Sequence, residues 1–298
     1  MAKGKNGKFR RKDGSWDPLA NSSIAKLRAE GVPKTPQSLS PSYRLAFADD
    51  DFLCREELRP VRLQLELLKT EMMLTERGIK STVVMFGGAR IPAPGMEAWA
   101  ARNETQRASL EAASVYYEEA RKFARITSEH SARHGYHEYV IVTGGGPGVM
   151  EAGNRGAAEV GAPSIGLNIV LPHEQAPNGY VTPDLSFNFH YFAIRKMHFM
   201  VRAKAVTVFP GGFGTMDELF ETLTLIQTKR MERIPLILFG EKFWREIINF
   251  DALADFGTIS PEDVDLIHFV ETADQAWQVI ADHYEKPGMP VQEFRPVK

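Results

Sequence analysis

The chain has 298 residues, of which 43% are hydrophobic and 25% charged, and its formal net charge is −2. These values are typical of a folded globular protein, and they exclude a wholly disordered chain and a uniformly basic surface for nucleic acid. The single cysteine, Cys54, excludes an intrachain disulfide and a four-cysteine metal site. No apolar stretch is long enough to cross a membrane or to form a secretory signal, so we expect a cytoplasmic protein without membrane or nucleic-acid partners.

The N-terminal part of the chain differs in composition from the rest. Residues 1–12 carry several lysines and arginines but no acid, which predicts a solvated tail that takes no part in catalysis. An arm that binds nucleic acid or another anionic surface is the alternative. Residues 1–48 are interpreted as a basic, flexible segment with a short helix over 22–30. Residues 49–80 are interpreted as a helical extension, broken near Pro60, that packs on a core domain or on a partner subunit.

From residue 81 onward, short apolar runs alternate with longer helical patterns. Strands are predicted at 82–86, 139–143, 164–170, 206–209, 236–239 and 266–270. Helices are predicted at 104–133, 148–160, 193–204, 215–231, 241–250 and 272–284. Apolar strands that alternate with helices indicate an α/β fold, a Rossmann-like doubly wound parallel sheet with helices on both faces. We assign this domain to residues 81–285 and a C-terminal tail to 286–298.

Three of the predicted strands are followed by glycine-rich turns, at 87–90, 144–148 and 210–215. The carboxyl ends of parallel strands meet at one edge of a sheet, where the ligand crevice lies. Glycine lets backbone N–H groups approach an anion closely, and a helix N-terminus adds partial positive charge. One such turn could be a plain strand-to-helix connection, but three of them favour phosphate binding.

The common nucleotide fingerprints do not fit these turns. A Gly-x-Gly-x-x-Gly/Ala pattern begun at Gly144 ends on Val149, and one begun at Gly146 ends on Glu151, which disfavours a dinucleotide-binding dehydrogenase. No P-loop motif and no His-Glu-x-x-His motif occur, and the eight histidines do not cluster at metal-ligand spacing. We therefore expect neither a metal nor a cofactor.

Three segments together are distinctive: Gly-Gly-Gly-Pro-Gly at 144–148, Arg-Lys at 195–196, and Pro-Gly-Gly-Phe-Gly-Thr-Met-Asp-Glu at 210–218. With this set, residues 81–285 resemble the LONELY GUY family of cytokinin riboside 5′-monophosphate phosphoribohydrolases, in its broad bacterial branch. Many members carry the label "lysine decarboxylase-like". A pyridoxal phosphate enzyme needs a Schiff-base lysine, and nothing marks the one candidate near the crevice, Lys196, as that lysine.

The resemblance implies hydrolysis of the N-glycosidic bond of a nucleoside 5′-monophosphate, such as AMP or a cytokinin riboside 5′-monophosphate. The products would be the free base and ribose 5-phosphate, and family members usually form homo-oligomers. The resemblance also implies catalytic roles for Arg195 and Glu218. The substrate-binding positions that it implies are Gly144, Gly145, Gly146, Glu174, Lys196, Gly211, Gly212, Gly214, Thr215, Asp217 and Thr224.

Several of these residues have a purely structural alternative. Thr215 and Glu218 have the spacing of a capping box, in which each side chain bonds the backbone N–H of the other residue. Arg195, at a predicted helix start, is expected to contribute little packing. A cluster of aromatic residues could stack on a base, although core packing is favoured: Phe187, Phe189, Tyr191, Phe192 and Phe199. A non-catalytic nucleotide-binding or carrier protein on the same fold is the alternative to an enzyme.

Overall fold

The computed structural model describes residues 22–172 and 176–285. The basic tail, Glu174 and the C-terminal tail after 285 lie outside the described residues. The chain separates into two units, one that ends at Leu65 and one that begins at Glu66. In the first unit, helix α1 spans Ser22–Glu30 and α2 spans Asp50–Leu53, and α3, Arg59–Glu76, begins there and ends in the second unit. Pro60 is the second residue of α3, near the predicted break, where its missing N–H costs nothing.

The second unit is built on a seven-stranded parallel sheet. Its strands are β1 Thr82–Phe86, β2 Val140–Thr143, β3 Ser164–Ile169, β4 Ser186–Phe189, β5 Ala203–Val208, β6 Leu236–Phe239 and β7 Ile267–Val270. The strand order is β4-β3-β2-β1-β5-β6-β7, and every neighbouring pair is parallel. The predicted α/β class and parallel sheet are confirmed. The sequence reasoning missed β4, which has only four residues.

Helices cover both faces of this sheet. They are α4 Glu104–Ala112, α5 Ser114–Ala132, α6 Val149–Glu159, α7 Phe192–Met200, α8 Phe213–Gln227, α9 Glu241–Ile247, α10 Phe250–Asp255, α11 Pro261–Val264 and α12 Ala273–Glu285. Alternate residues of each strand point to opposite faces, and the buried side chains accordingly form two clusters. One cluster packs under α7 and α8, and the other under α5, α6 and α12. No helix within the described ranges is long and apolar enough to cross a membrane.

The strand order reverses direction beside β1. The chain runs from β1 outward to β4, and then returns to place β5 on the other side of β1. At such a switch point, the connections that follow the two adjacent strands leave in opposite directions and open a crevice. The turn after β1 and the turn after β5 meet here, where the Gly88 N–H donates to the Pro210 carbonyl at 2.9 Å. The crevice therefore lies between two of the three predicted glycine turns.

Candidate active site

A cavity of about 1010 Å³ fills this crevice. Its lining includes the turn after β1, Gly144 after β2, Arg195 of α7, and residues 210–218 of the β5–α8 connection. Apolar side chains such as Leu110, Val115 and Phe243 also line it. A cavity lined by apolar side chains and a few polar groups is typical of small-molecule sites.

The β5–α8 turn forms a cradle of free backbone donors. Helix α8 begins at Phe213, its N-cap is Gly212, and no side chain caps its first N–H groups. A Cβ atom at Gly212 or at Gly214 would meet no atom of the protein within 4 Å, so both positions face open space. Gly211 differs, since a Cβ there would lie 2.2 Å from Thr215 Oγ1. Uncapped N–H groups beside glycines that face a cavity are what an oxyanion requires.

The position of the α8 start excludes the capping-box alternative. The predicted start at 215 is wrong by two residues, because Gly212 rather than Thr215 is the N-cap. Thr215 is thus the third residue of the helix and Glu218 the sixth. A residue inside the helix cannot exchange cap hydrogen bonds with another one. The capping box does not account for Glu218.

Glu218 is a buried carboxylate that faces the cavity. It is only 5% exposed, and its Oε2 atom has no hydrogen-bond partner among the described residues. Burial raises the pKa of Glu218 to about 7, because the charged form loses its hydration. Lys196 and Arg195 oppose this rise, while Glu221 and Asp217 add to it. A carboxyl group with a pKa near neutrality can both accept and release a proton at physiological pH.

Lys196 lies next to this carboxylate but does not line the cavity. Its Nζ atom pairs with Asp217 Oδ1 and with Glu221 Oε2, each at 3.0 Å. Although burial opposes it, these two partners raise the pKa of Lys196. Asp217 lies at the cavity edge with its side chain 59% exposed. Lys196 therefore pairs with both Asp217 and Glu221 and offsets part of their negative charge, whereas Glu218 has no such ion pair.

Arg195 lines the cavity, and two contacts hold its side chain in place. Its Nε–H donates to the Leu167 carbonyl at 2.7 Å, and its guanidinium lies over the ring of Phe199, 5.2 Å from the centroid. Burial lowers the pKa of Arg195, and the nearby Glu218 charge opposes that shift. The expectation that Arg195 contributes little packing is wrong, because β3 and α7 enclose its side chain. Its Nη atoms remain to serve a ligand.

The Gly144–Gly146 turn leaves space for the Arg195 side chain and forms part of the cavity wall. A Cβ at Gly144 would lie 2.7 Å from Arg195 Nη2, so this glycine leaves room for the guanidinium. Gly145 has a φ of +74°, which favours glycine, and its N–H donates to Thr143 Oγ1. The Nδ2 atom of Asn178 donates to the carbonyls of Gly145 and Gly146 at 3.1 and 3.0 Å. Of the three glycines, only Gly144 lines the cavity.

Of two other predicted positions, Thr224 and Glu174, the structure describes only Thr224. Thr224 is exposed on α8, its hydroxyl donates to the Phe220 carbonyl at 2.7 Å, and it does not line the cavity. Glu174 lies outside the described residues. In the aromatic cluster, Phe187, Phe189 and Phe199 are buried in the core as favoured, whereas Phe192 is 53% exposed at the cavity.

Sequence reasoning missed the residues that hold α7 in place. No side chain of α7 itself caps the helix at Tyr191. Instead, the Glu66 carboxylate of α3 accepts the N–H groups of His190 and Tyr191, at 2.9 and 3.2 Å. At the other end of α7, Glu71 pairs with both Nη atoms of Arg202, at 2.6 and 2.7 Å. Two carboxylates of α3 thus fix both ends of the helix that carries Arg195.

Substitution of Gly214, which lies in the cradle, is expected to affect stability and ligand binding in opposite directions. An alanine there meets no protein atom and has a higher helix propensity, so we expect Gly214→Ala to raise stability by up to about 1 kcal/mol. The same methyl group would stand where an oxyanion approaches, so nucleotide binding should weaken by about tenfold or more. Thermal unfolding and calorimetric titration with AMP measure the two effects. Gly179→Ala, equally open but outside the cavity, is the control and should leave binding unchanged.

The site does not have the residues of a pyridoxal phosphate enzyme. No lysine belongs to the described lining of the cavity, and the Nζ of Lys196 is held between two carboxylates. In the described ranges, no group of three histidine, cysteine or acidic side chains is placed to hold a metal ion. The polar residues of the described lining include Arg90, Arg195, Asp217 and Glu218, together with the hydroxyl-bearing Ser109, Tyr116 and Thr215.

The chain is similar to known proteins in its fold and, over part of its length, in its sequence. The fold is distantly similar to two solved structures, each at 16% identity. One is the molybdenum cofactor binding protein of the phototrophic bacterium Rippkaea orientalis, with 68% of this chain and 97% of that chain covered and a TM-score of 0.44. The other is the molybdenum cofactor carrier protein of Chlamydomonas reinhardtii, with 70% and 100% covered and a TM-score of 0.41. No curated protein matches this chain at a significant level. Residues 150–280 match the family described as "Possible lysine decarboxylase", and over these residues the family resemblance that the motifs indicate is confirmed.

Proposed function

We propose that this protein hydrolyses the N-glycosidic bond of a nucleoside 5′-monophosphate, which yields the free base and ribose 5-phosphate. One observation carries the proposal: a buried, unpartnered carboxylate, Glu218, shares a cavity with the uncapped start of α8. The family match over residues 150–280 supports a nucleotide-related role. A protein that only binds nucleotides does not need a desolvated carboxylate in its site, because burying that charged group costs free energy.

In the proposed reaction, the start of α8 and Glu218 have different roles. The phosphate would bind the N–H groups at the start of α8, which places the ribose over Glu218. As the bond between C1′ and the base nitrogen breaks, its electron pair goes to the base and positive charge develops on the ribose. The Glu218 carboxylate stabilises that charge and takes a proton from the attacking water, whose hydroxyl joins C1′. The departing base takes up a proton from solvent and Glu218 releases its own to solvent, so the carboxylate is restored and the overall reaction consumes one water molecule.

Arg195 would act on the leaving group in this scheme. Its Nε is committed to the Leu167 carbonyl, so its Nη donors keep a fixed direction toward the cavity. A guanidinium that donates hydrogen bonds to a base stabilises the negative charge that the base gains as it leaves. Such a donor acts more strongly in the transition state than in the ground state, which is the requirement for catalysis.

The substrate preference gives a direct test. We expect AMP to release adenine with a kcat/KM at least about 10²-fold above that for adenosine, because the phosphate-binding energy is used to orient the ribose. Chromatographic measurement of free adenine from both compounds provides the ratio. The Glu218→Gln protein, purified in the same way, reports any contaminating nucleosidase. Equal rates for AMP and adenosine would contradict the proposal, and tight AMP binding without adenine release would favour a carrier.

Homo-oligomeric assembly and a cytoplasmic location remain part of this proposal. Phe213 is 93% exposed and Phe192 is 53% exposed, and both stand at the cavity. Large apolar side chains that are exposed beside a site are typical of surfaces that another molecule covers. Light scattering of the purified protein measures its assembly state.

A further inference from the structure

Two cationic side chains line the described part of the cavity, and only one of them is committed. Arg195 is fixed to the Leu167 carbonyl and sits beside Glu218. The other is Arg90, from the Gly-Gly-Ala-Arg turn that follows β1. The neighbouring lysine, Lys196, is already bound to two carboxylates and does not line the cavity. Arg90 is thus the cation that the proposed reaction has not used.

The side chain of Arg90 is exposed, and no carboxylate of the described residues pairs with it. Many other arginines of this protein are engaged, as Arg121 is with Glu159 at 2.7 Å. A guanidinium presents five hydrogen-bond donors in a planar fork that matches two oxygens of one phosphate group. An unpaired fork at a cavity edge is well suited to bind an anionic ligand.

The backbone on both sides of Arg90 is held in place. Gly88 donates to the Pro210 carbonyl, which directly precedes the cradle, and Ile91 is buried with 5% exposure. A Cβ at Gly148 would lie 2.4 Å from the Gly88 carbonyl oxygen, so the turn after β2 also packs against this segment. The turn that carries Arg90 is therefore joined to the residue that precedes the cradle, and Arg90 lines the same cavity as the start of α8.

A second, independent observation at this cavity is the buried carboxylate of Glu218. Glu218 is 5% exposed, its Oε2 atom has no hydrogen-bond partner among the described residues, and the residue lines the same cavity as Arg90 and the open glycines Gly212 and Gly214. We propose that Arg90 completes the phosphate site by a bidentate contact to the 5′-phosphate, opposite the N–H groups of α8. Arg90 would then determine the preference for nucleoside 5′-monophosphates over nucleosides. The nucleotide identity rests on the proposed function, whereas the phosphate contact does not.

Ribose 5-phosphate and ribose test the contact without any requirement for catalysis. Calorimetric titration of the full chain with ribose 5-phosphate should show binding that Arg90→Ala weakens by about 10- to 100-fold, as expected for a charge-assisted contact. Ribose, which has no phosphate, should bind with the same low affinity to both proteins. Arg133→Ala is the matched control, because Arg133 is exposed and lies outside the cavity. It removes the same charge and should leave ribose 5-phosphate binding unchanged.

Binding of ribose 5-phosphate and cleavage of AMP can succeed or fail independently of each other. Arg90-dependent binding of ribose 5-phosphate supports the inference even if AMP is not cleaved, in which case only the proposed function fails. If AMP is cleaved, the ratio of kcat/KM for AMP to that for adenosine should also fall about tenfold or more in Arg90→Ala. Unchanged binding of ribose 5-phosphate in Arg90→Ala, equal weakening by Arg133→Ala, or no binding by the wild-type protein would each overturn the inference.

Discussion

Replacing Glu218 with glutamine is expected to lower kcat on AMP by about 10²-fold or more, and at the same time to stabilise the protein above pH 7. Glutamine has nearly the same shape, so nucleotide binding should persist. It lacks the negative charge that would face the positive charge developing on the ribose. Steady-state release of adenine measures the first effect. Near-normal turnover by Glu218→Gln would exclude a catalytic role for this carboxylate.

The effect on stability follows from the raised pKa. Burial raises the pKa of Glu218 to about 7 in the folded state, against about 4.5 for an ordinary glutamate. The folded protein therefore binds the proton more tightly than the unfolded chain, and its free energy of unfolding falls as pH rises from about 4.5 to about 7. Above pH 7 the ionised, buried Glu218 lowers the free energy of unfolding of the wild type by up to about 3 kcal/mol. Glu218→Gln does not have this loss. In thermal unfolding, the gain in stability of Glu218→Gln over the wild type should be larger at pH 8 than at pH 5.

Glu221→Gln is the matched control for this substitution. Glu221 lies three residues further along α8, but it does not line the cavity and pairs with Lys196. Its charge raises the pKa of Glu218, so its removal should lower that pKa. If turnover needs the ionised carboxylate, the rising limb of activity against pH should shift to lower pH in Glu221→Gln, without a collapse of kcat. A collapse of similar size in both variants would point to a general disturbance of α8.

Replacing Arg195 with alanine is expected to lower kcat by about 10²-fold or more and to reduce stability by about 1–3 kcal/mol. The loss of stability is expected because the Leu167 carbonyl loses its donor and the Phe199 ring loses the guanidinium above it. Removal of this positive charge also raises the pKa of Glu218 further, so any residual activity should rise at a higher pH than in the wild type. Thermal unfolding and a pH–rate profile measure these effects.

Chemical rescue separates a catalytic Arg195 from a merely structural one. The alanine variant leaves a space shaped for a guanidinium, so added ethylguanidine should restore part of the turnover in a saturable manner. Ethylammonium carries the same charge without the planar fork and is the control compound, which should restore less. If folding is restored by stabilising solutes while turnover stays absent and neither compound helps, the assignment of Arg195 to the leaving group is wrong.

Most of the sheet was predictable from the sequence because its strands are continuous apolar runs. Thr82–Phe86 and Leu236–Phe239 were predicted to the residue, since all their side chains are buried. The edge strand Ser186–Phe189 was missed because it alternates between exposed and buried residues and so lacks a continuous apolar run. The start of α8 was placed too late, because Gly212, Phe213 and Gly214 have the composition of a loop. Helical N–H groups left free for a ligand produce no sequence signal of their own.

The site was predictable in part, and the missing part depends on contacts between distant segments. The motifs brought Arg195, Glu218 and the β5–α8 turn together, because each follows a strand or opens a helix at one edge of the sheet. The enclosure of Arg195 depends on the Leu167 carbonyl, 28 residues away. Asn178 lies more than 30 residues from the glycine turn that it holds. Tertiary contacts at such separations have no periodic signature.

The attachment of α7 to α3 affects which substitutions this protein can accept. No residue of α3 lines the cavity. Thr70 and Leu74 of this helix are buried, whereas exposed positions such as Leu68 and Met72 can vary freely. Glu66 and Glu71 cannot, because the loss of Glu71 would leave the Arg202 guanidinium, whose side chain is only 4% exposed, without a counter-charge. A shift of α7 by even a fraction of its rise per residue would move Arg195 relative to Glu218. Substitution of Glu66 or Glu71 is therefore expected to alter the cavity through α7, although neither side chain lines it.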